Sequence, residues 1–350
     1  MRLTPLTTLT SASSMLSNQI RRVQDEATKL QAEVASGRRH DIGKDLGAET
    51  GGIVAFRQEV QILRGTIDVN KSVAVRLDAS QASLNNIVSN ANDFLSALMS
   101  ARGDPRNAEI LVRQAEESFK SFISAANTSH GGIYLFAGIN TTTPPMADYF
   151  SMPPSAARTA TEAAFVGEFG MASTDPAVSS IPVSSMQAFI SNTFQNMFDD
   201  PAWPTNWSSA TQEVATSVVA PDRTIRASVS AQEQAFRKVA AAYALVVDAG
   251  TKNLNDASYQ GLVDEASKLM AEGIAEFGEL QGVLGAAENQ LDQATIKIEA
   301  RVDLVERMIG SREGVDLTEL SIRLNTLLNH LEATYAVTGR IQSMSLLKAI

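Results

Sequence analysis

Residues 53–98 read IVAFRQEVQILRGTIDVNKSVAVRLDASQASLNNIVSNANDFLSAL. Within them Ile53, Phe56, Val60, Leu63, Ile67, Asn70, Ala74, Leu77, Gln81, Leu84, Val88, Ala91, Leu95 and Leu98 recur at alternating steps of three and four without losing register. That spacing puts them on one stripe of a single helix, and the stripe needs a partner helix to cover it. At a rise of 1.5 Å per residue the helix is roughly 70 Å long. Globular helices average only about 11 or 12 residues, so the pattern predicts a rod.

Working outward toward the N-terminus, Leu16, Ile20, Val23, Ala27, Leu30 and Val34 form a second narrow stripe of the same kind. On the other side, Gly103-Asp104-Pro105 marks a turn, with Asp104 as N-cap and Pro105 opening a helix that carries Ala108, Leu111, Ala115, Phe119, Phe122 and Ala126 inward. His130-Gly131-Gly132 ends that helix, Ile133 to Ala137 reads as a short strand, and Thr141 to Pro145 breaks it. From there to about Arg223 the chain holds both tryptophans, no lysine, and every proline except Pro5 and Pro105. This stretch is expected to be a separate insert of short strands and turns with one helix near Met186 to Phe198. Helical period is expected from Thr224 to Val247 and, after a loop at Gly250 to Asp256, onward to Ile309. Leu262, Leu269, Phe277, Leu280, Leu284, Leu291, Ile298, Val302, Val305 and Ile309 supply its buried side. A break at Ser311 to Gly314 precedes a last stripe of Leu317, Leu320, Leu324, Leu327 and Leu331, continuing through Tyr335 and Ile341.

The expected fold is mainly α: a long antiparallel helical rod formed by the N- and C-terminal segments, with a smaller β-containing insert at the tip. Residues 1–44 and 311–350 form a terminal helical pair, 45–140 and 225–310 a long bundle with a short hairpin, and 141–224 an outward-facing inserted domain. A two-helix pair is too thin to be stable alone, so the terminal segments are expected to gain order from neighbouring subunits. The residues assigned to subunit packing are Leu16, Ile20, Val23, Leu30 and Val34, together with Leu317, Leu320, Leu324, Leu327, Leu331, Tyr335, Ile341, Leu346 and Leu347.

Composition sets limits on function. A net charge of -10 with no basic block argues against nucleic acid as the main partner. The absence of cysteine removes disulfides, thiolate metal sites and cysteine nucleophiles. An aromatic share of 6% suits thin helical seams better than one broad core. No signal-peptide core or bilayer-length apolar segment is evident, so the chain is expected to be soluble and either to stay inside or to leave without a cleaved signal. His40, His130 and His330 are scattered singly, and neither His-Glu-x-x-His, phosphate loop nor nucleophile elbow occurs. No catalytic, metal or cofactor site is expected.

Three segments carry a family resemblance. Leu30-Gln31-Ala32-Glu33-Val34-Ala35-Ser36-Gly37-Arg38-Arg39 resembles the segment closing the first helix in the bacterial flagellin superfamily, and Gly131-Gly132-Ile133-Tyr134-Leu135-Phe136-Ala137-Gly138 is similar to its hairpin leading to the outer domain. The run from Leu331 to Leu347 resembles the C-terminus of that superfamily's hook-filament junction branch more than that of filament subunits, which usually carry an Asn-Gln-Pro-Gln-like stretch before the final leucines. Gly43-Lys44-Asp45-Leu46-Gly47 departs from an Asp-Asp-Pro-like turn common among relatives. The resemblance covers roughly residues 1–140 and 225–350. It implies a structural, non-enzymatic flagellar subunit that is exported through the type III channel and found outside the cell. Implied partners are copies of itself, hook-associated protein 1 on the hook side, flagellin on the filament side, and an export chaperone. Two alternatives stay open: a filament subunit proper, and an unrelated helical rod whose insert is enzymatic or binding.

Some features carry two readings. Asn70 and Gln81 either fix register across the seam or mark wet places in it. Gly278, Gly282 and Gly285 either admit close helix contact or soften the helix. Arg102-Gly103-Asp104 spells an adhesion tripeptide but is read as turn chemistry, and the sequons at Asn127, Asn140 and Asn206 are read as chance.

Overall fold

A computed structural model, describing the backbone of residues 6–347 and the side chains of residues 14–340, resolves the repeating apolar spacings into helices. In chain order they are α1 (Leu6–Ser36), α2 (Ile42–Leu46), α3 (Thr50–Ala101) and α4 (Ala108–Ala126), then a small antiparallel hairpin of β1 (Ser129–His130) and β2 (Ile133–Tyr134). The chain continues through α5 (Ala156–Phe169), α6 (Val183–Ala188) and a second antiparallel hairpin, β3 (Thr216–Ala220) and β4 (Arg223–Arg226). It ends with α7 (Gln234–Asp248), α8 (Asp256–Glu313) and α9 (Leu317–Leu347). The fold class is mainly α with small antiparallel sheets, as expected, and α3 covers the whole quoted stretch.

The chain divides into two compact units. One contains the described residues up to Gly65 and from Glu299 onward; the other is Thr66–Ile298.

In the Thr66–Ile298 unit, α3 and α8 run antiparallel. Gln81 Nε2 donates to the Gln281 carbonyl at 2.9 Å, and Asn70 Nδ2 donates to Thr295 Oγ1 at 3.0 Å and to the Val219 carbonyl at 3.1 Å. Asn70 is 1% exposed. These two amides therefore fix register, joining helix to helix and helix to hairpin, rather than marking wet places. Arg102 forks onto Asp264, and Asp104 caps the turn by accepting from Arg106 N at 3.2 Å, so the adhesion-like tripeptide is committed to turn chemistry. The Asn127 amide is spent on both backbone groups of Met146, at 2.9 and 2.8 Å. Gly278 and Gly282 face open space, whereas a Cβ at Gly273 would stand 2.6 Å from Val239 Cγ2. Close helix contact thus occurs at Gly273, five residues before Gly278, where α8 meets α7.

The core of this unit surrounds α7, which is apolar on nearly every face and buried accordingly. Tyr243 of α7 stacks on Phe119 of α4, with centroids 5.4 Å apart, and Phe119 meets Tyr149 at 5.0 Å. Tyr149 in turn stacks on Trp207 at 5.2 Å, and its hydroxyl donates to Asp248 at 2.6 Å. Arg237, 5% exposed, lies over the Trp203 ring and donates to the Phe198 carbonyl and to Asp200. Residues 141–224 therefore contribute side chains to one continuous apolar cluster with α4 and α7. The modest aromatic content is concentrated there rather than spread along thin seams.

Several local expectations are corrected. The strand at Ile133 to Ala137 stops at Tyr134, because Leu135, Phe136 and Ala137 turn into the core. Residues 224–233 are not helical: Ala227 N donates to the Ala215 carbonyl, Ala231 N to the Phe136 carbonyl and Ser230 Oγ to the Thr211 carbonyl, so tertiary bonds hold the segment extended. Helix α5 was not anticipated, although Ser155 caps its start and Gly170, at φ +69°, ends it. The break before the last helix falls at Gly314 to Asp316, since α8 continues to Glu313.

Candidate assembly surface

The other unit is built from α1, α9 and the adjoining ends of α3 and α8. The stripe spacing of α1 is closed by Gly37, whose φ of +68° is the left-handed conformation glycine adopts freely, and Gly37 N donates to the Glu33 carbonyl at 2.8 Å. Chain reversal then lays α1 antiparallel to α9. Gln24 Nε2 donates to Tyr335 at 2.5 Å, Arg323 pairs with Glu26 at 3.1 Å, and at the near end Arg38 bridges to Gly314. Asp316 starts α9 by accepting from Thr318 N at 2.8 Å and Glu319 N at 3.3 Å, and those backbone bonds hold its carboxyl below the usual range.

Burial within this pair is uneven. Ala27 and Leu30 are covered by the chain itself, at 6% and 4% exposure. Leu16, Ile20, Val23 and Val34 on α1, and Leu320, Leu324, Leu327 and Leu331 on α9, are half-buried. Leu317 and Tyr335 are exposed, and the side chains of Ile341, Leu346 and Leu347 lie outside the described residues. Met15, Ile322 and Val337, which the stripe reading passed over, are 72%, 64% and 52% exposed. The pair thus leaves apolar side chains of both helices in contact with solvent, Met15, Ile322 and Val337 most of all.

The joint between α8 and α9 holds two carboxylates that the sequence reading missed. Glu313 is fully buried; it accepts from Arg57 Nη2 at 2.7 Å and faces Arg38 Nη1 at 3.8 Å, while its carbonyl accepts from Arg39 N at 2.9 Å. Glu33, 6% exposed, accepts from His40 N at 3.0 Å. The Val315 N–H donates across the joint to the Gly37 carbonyl. Gly314 is required there, because a Cβ would stand 2.6 Å from the Gly310 carbonyl oxygen. A signal was present: extending Val302, Val305 and Ile309 by four residues lands on Glu313, so the periodicity alone places a charge on the buried side. Elsewhere in the unit α3 and α8 are pinned by Arg301 with Glu59 at 2.7 Å and Arg64 with Glu306 at 2.5 Å.

An antiparallel terminal pair with half-buried and exposed leucines, joined beside the buried carboxylate of Glu313, has the form of a part that neighbours complete. The model of the bacterial flagellin N-terminal helical region matches residues 7–141, and that of the bacterial flagellin C-terminal helical region matches residues 267–350, together well over half of the chain. The chain belongs to the flagellin family. Flagellin-family proteins are structural and self-assemble into flagellar polymers, so this chain is a structural component of the flagellum. A solved structure from Vibrio parahaemolyticus, provisionally described as a flagellar hook-associated protein, has a similar fold. It covers 77% of this chain and 99% of its own at a TM-score of 0.54, with 12% of residues identical. No curated protein matches the sequence. Among the described residues, no helix is long and apolar enough to cross a membrane.

Proposed function

We propose that this flagellin-family chain is a hook-filament junction subunit of the hook-associated protein 3 kind, seated between hook-associated protein 1 and the flagellin filament. The observation that carries the reading is the C-terminal run Leu331-Glu332-Ala333-Thr334-Tyr335-Ala336-Val337-Thr338-Gly339-Arg340-Ile341-Gln342-Ser343-Met344-Ser345-Leu346-Leu347, which resembles junction proteins and lacks the Asn-Gln-Pro-Gln-like stretch of filament subunits. The Vibrio structure described as hook-associated supports the same direction through its fold. In this reading the α1/α9 pair packs against copies of itself in the assembly core, through Leu16, Ile20, Val23, Leu30 and Val34 on one helix and Leu317 to Leu347 on the other. Residues 141–224 face outward. The chain leaves the cell unfolded through the flagellar export channel, and an export chaperone covers its apolar stripes beforehand. Deleting the chain tests the assignment: cells should still build hooks but shed flagellin into the medium. Cells that keep attached filaments refute it. If the purified chain, seeded on filament ends, grows without limit, it is a flagellin instead.

A further inference from the structure

Beside the α8/α9 joint, Arg38, Arg57, Val60, Arg64, Glu306 and Ile309 line an open groove of about 340 Å³. The three arginine side chains are 63%, 51% and 64% exposed. Arg57 is held by Glu313 and Arg64 by Glu306, each through one nitrogen, and Arg38 approaches Glu313 no closer than 3.8 Å. A guanidinium carries five N–H donors in a fork that matches a carboxylate. Most of that donor capacity is not used by these ion pairs, and Val60 and Ile309 give the groove an apolar floor. The opposite chemistry lies on the terminal pair of the same unit. Among the described residues, the exposed carboxylates of Asp25 on α1 and of Glu319 and Glu332 on α9 make no ion pair.

We propose that this groove is a docking site for a second copy of the chain, which inserts an acidic side chain of its α1/α9 pair between Arg38 and Arg64. The partner is chosen by charge complementarity: the surface that offers forks and the surface that offers free carboxylates belong to the same unit, so one copy presents to the next what it cannot itself satisfy. Two different patches meeting head to tail make a heterologous contact, the type that generates rings and helices instead of closed dimers. The inference rests on the assembly reading above and adds a specific contact to it.

The test uses the full chain at low salt, with pelleting measured against protein concentration. Arg38→Glu should raise the concentration needed for assembly by about tenfold or more, and 1 M salt, where the Debye length is about 3 Å, should erase the difference. Arg57 is left alone because it secures Glu313. Combining Arg38→Glu with Asp25→Arg, Glu319→Arg or Glu332→Arg should restore assembly for the carboxylate that docks, a recovery that a merely misfolded variant would not show. Assembly of Arg38→Glu at the wild-type concentration, or no recovery with any of the three, overturns the groove while leaving self-assembly intact. A wild-type chain that never pellets overturns both.

Discussion

Replacing Leu324 by Asp separates the stability of the molecule from the stability of its assembly. Leu324 is half-buried on α9. Fully burying a leucine side chain is worth about 1.5–3 kcal/mol, so covering the exposed remainder of Leu324, at most about a third, contributes up to about 1 kcal/mol in an assembly. A carboxylate sealed into that seam without a partner costs several kcal/mol more, taken as about 3. The sum, about 4 kcal/mol, corresponds to a rise of roughly a thousandfold in the concentration required for assembly. The monomer should barely register the change. Trp203 and Trp207 both lie in the Thr66–Ile298 unit, so tryptophan fluorescence during urea unfolding reports that unit alone. The expected result is an unaltered fluorescence midpoint together with loss of pelleting over the accessible concentration range, and the same pattern for Leu331→Asp. Assembly of Leu324→Asp within about tenfold of wild type would mean that no neighbour covers this face, and the structural reasoning for the pair would fail.

Three further expectations concern the Thr66–Ile298 unit, all read by tryptophan fluorescence in urea. Asn70→Ala removes the bonds to Val219 and Thr295 and leaves a buried carbonyl unpaired, which should destabilise the unit by about 2–3 kcal/mol; a change below about 0.5 kcal/mol would deny the amide its register role. Burial raises the Asp248 carboxyl above the ordinary range, against the lowering effects of the Tyr149 hydrogen bond and the Arg158 charge. A raised folded-state pKa contributes stability that is full below the unfolded value and is lost as pH rises through the folded one. Asp248→Asn keeps an acceptor for Tyr149 and should flatten that fall between acid and neutral pH; an unchanged pH profile would show that Asp248 is not its source. In α8, Gly273→Ala meets Val239 and should cost about 1–3 kcal/mol. Gly278→Ala enters open space and should gain up to about 1 kcal/mol; equal effects at the two positions would contradict the packing described.

The long helices were legible because their apolar spacing holds one phase over many turns, as in the fourteen stripe positions from Ile53 to Leu98, and no competing interaction overrides it. Residues 224–233 were misread for the opposite reason. Their side chains suit a helix, but Ser228, Ser230 and Gln232 bond to residues 210–215, partners that periodicity cannot see. The packing of the insert was not legible: prolines and tryptophans between residues 141 and 224 suggest a separate small domain, and composition says nothing of what they pack against. In the structure the same aromatics, Tyr149, Trp203 and Trp207, are the means by which that stretch joins α4 and α7. At the assembly surface the leucine stripes were readable, and Glu313 was readable in principle from phase. Arg38, Arg57 and Arg64 come from separate segments, so only the fold brings them to one groove.

The uneven distribution of aromatic residues matches the difference in core size between the two units. Between the described start of α1 and Gly65, and from Glu299 onward, only Phe56 and Tyr335 are aromatic, and Tyr335 is 46% exposed. Large rings each remove about 150–250 Å² from water, and the Thr66–Ile298 unit gathers nearly all of them around α7. The terminal pair is left mostly with leucine, isoleucine and valine on two helices, a geometry in which most of these side chains, Leu30 aside, keep some contact with water. Two helices alone cannot enclose a core, so apolar surface left on Leu320, Leu324, Leu327 and Leu331 becomes free energy available to association rather than to folding. A protein selected only for monomer stability would replace those leucines by polar residues or cover them with another helix. Their presence on a pair joined where half-exposed Arg57 meets the buried carboxylate of Glu313 suits an assembling chain: a held joint carrying a surface that another subunit can bury.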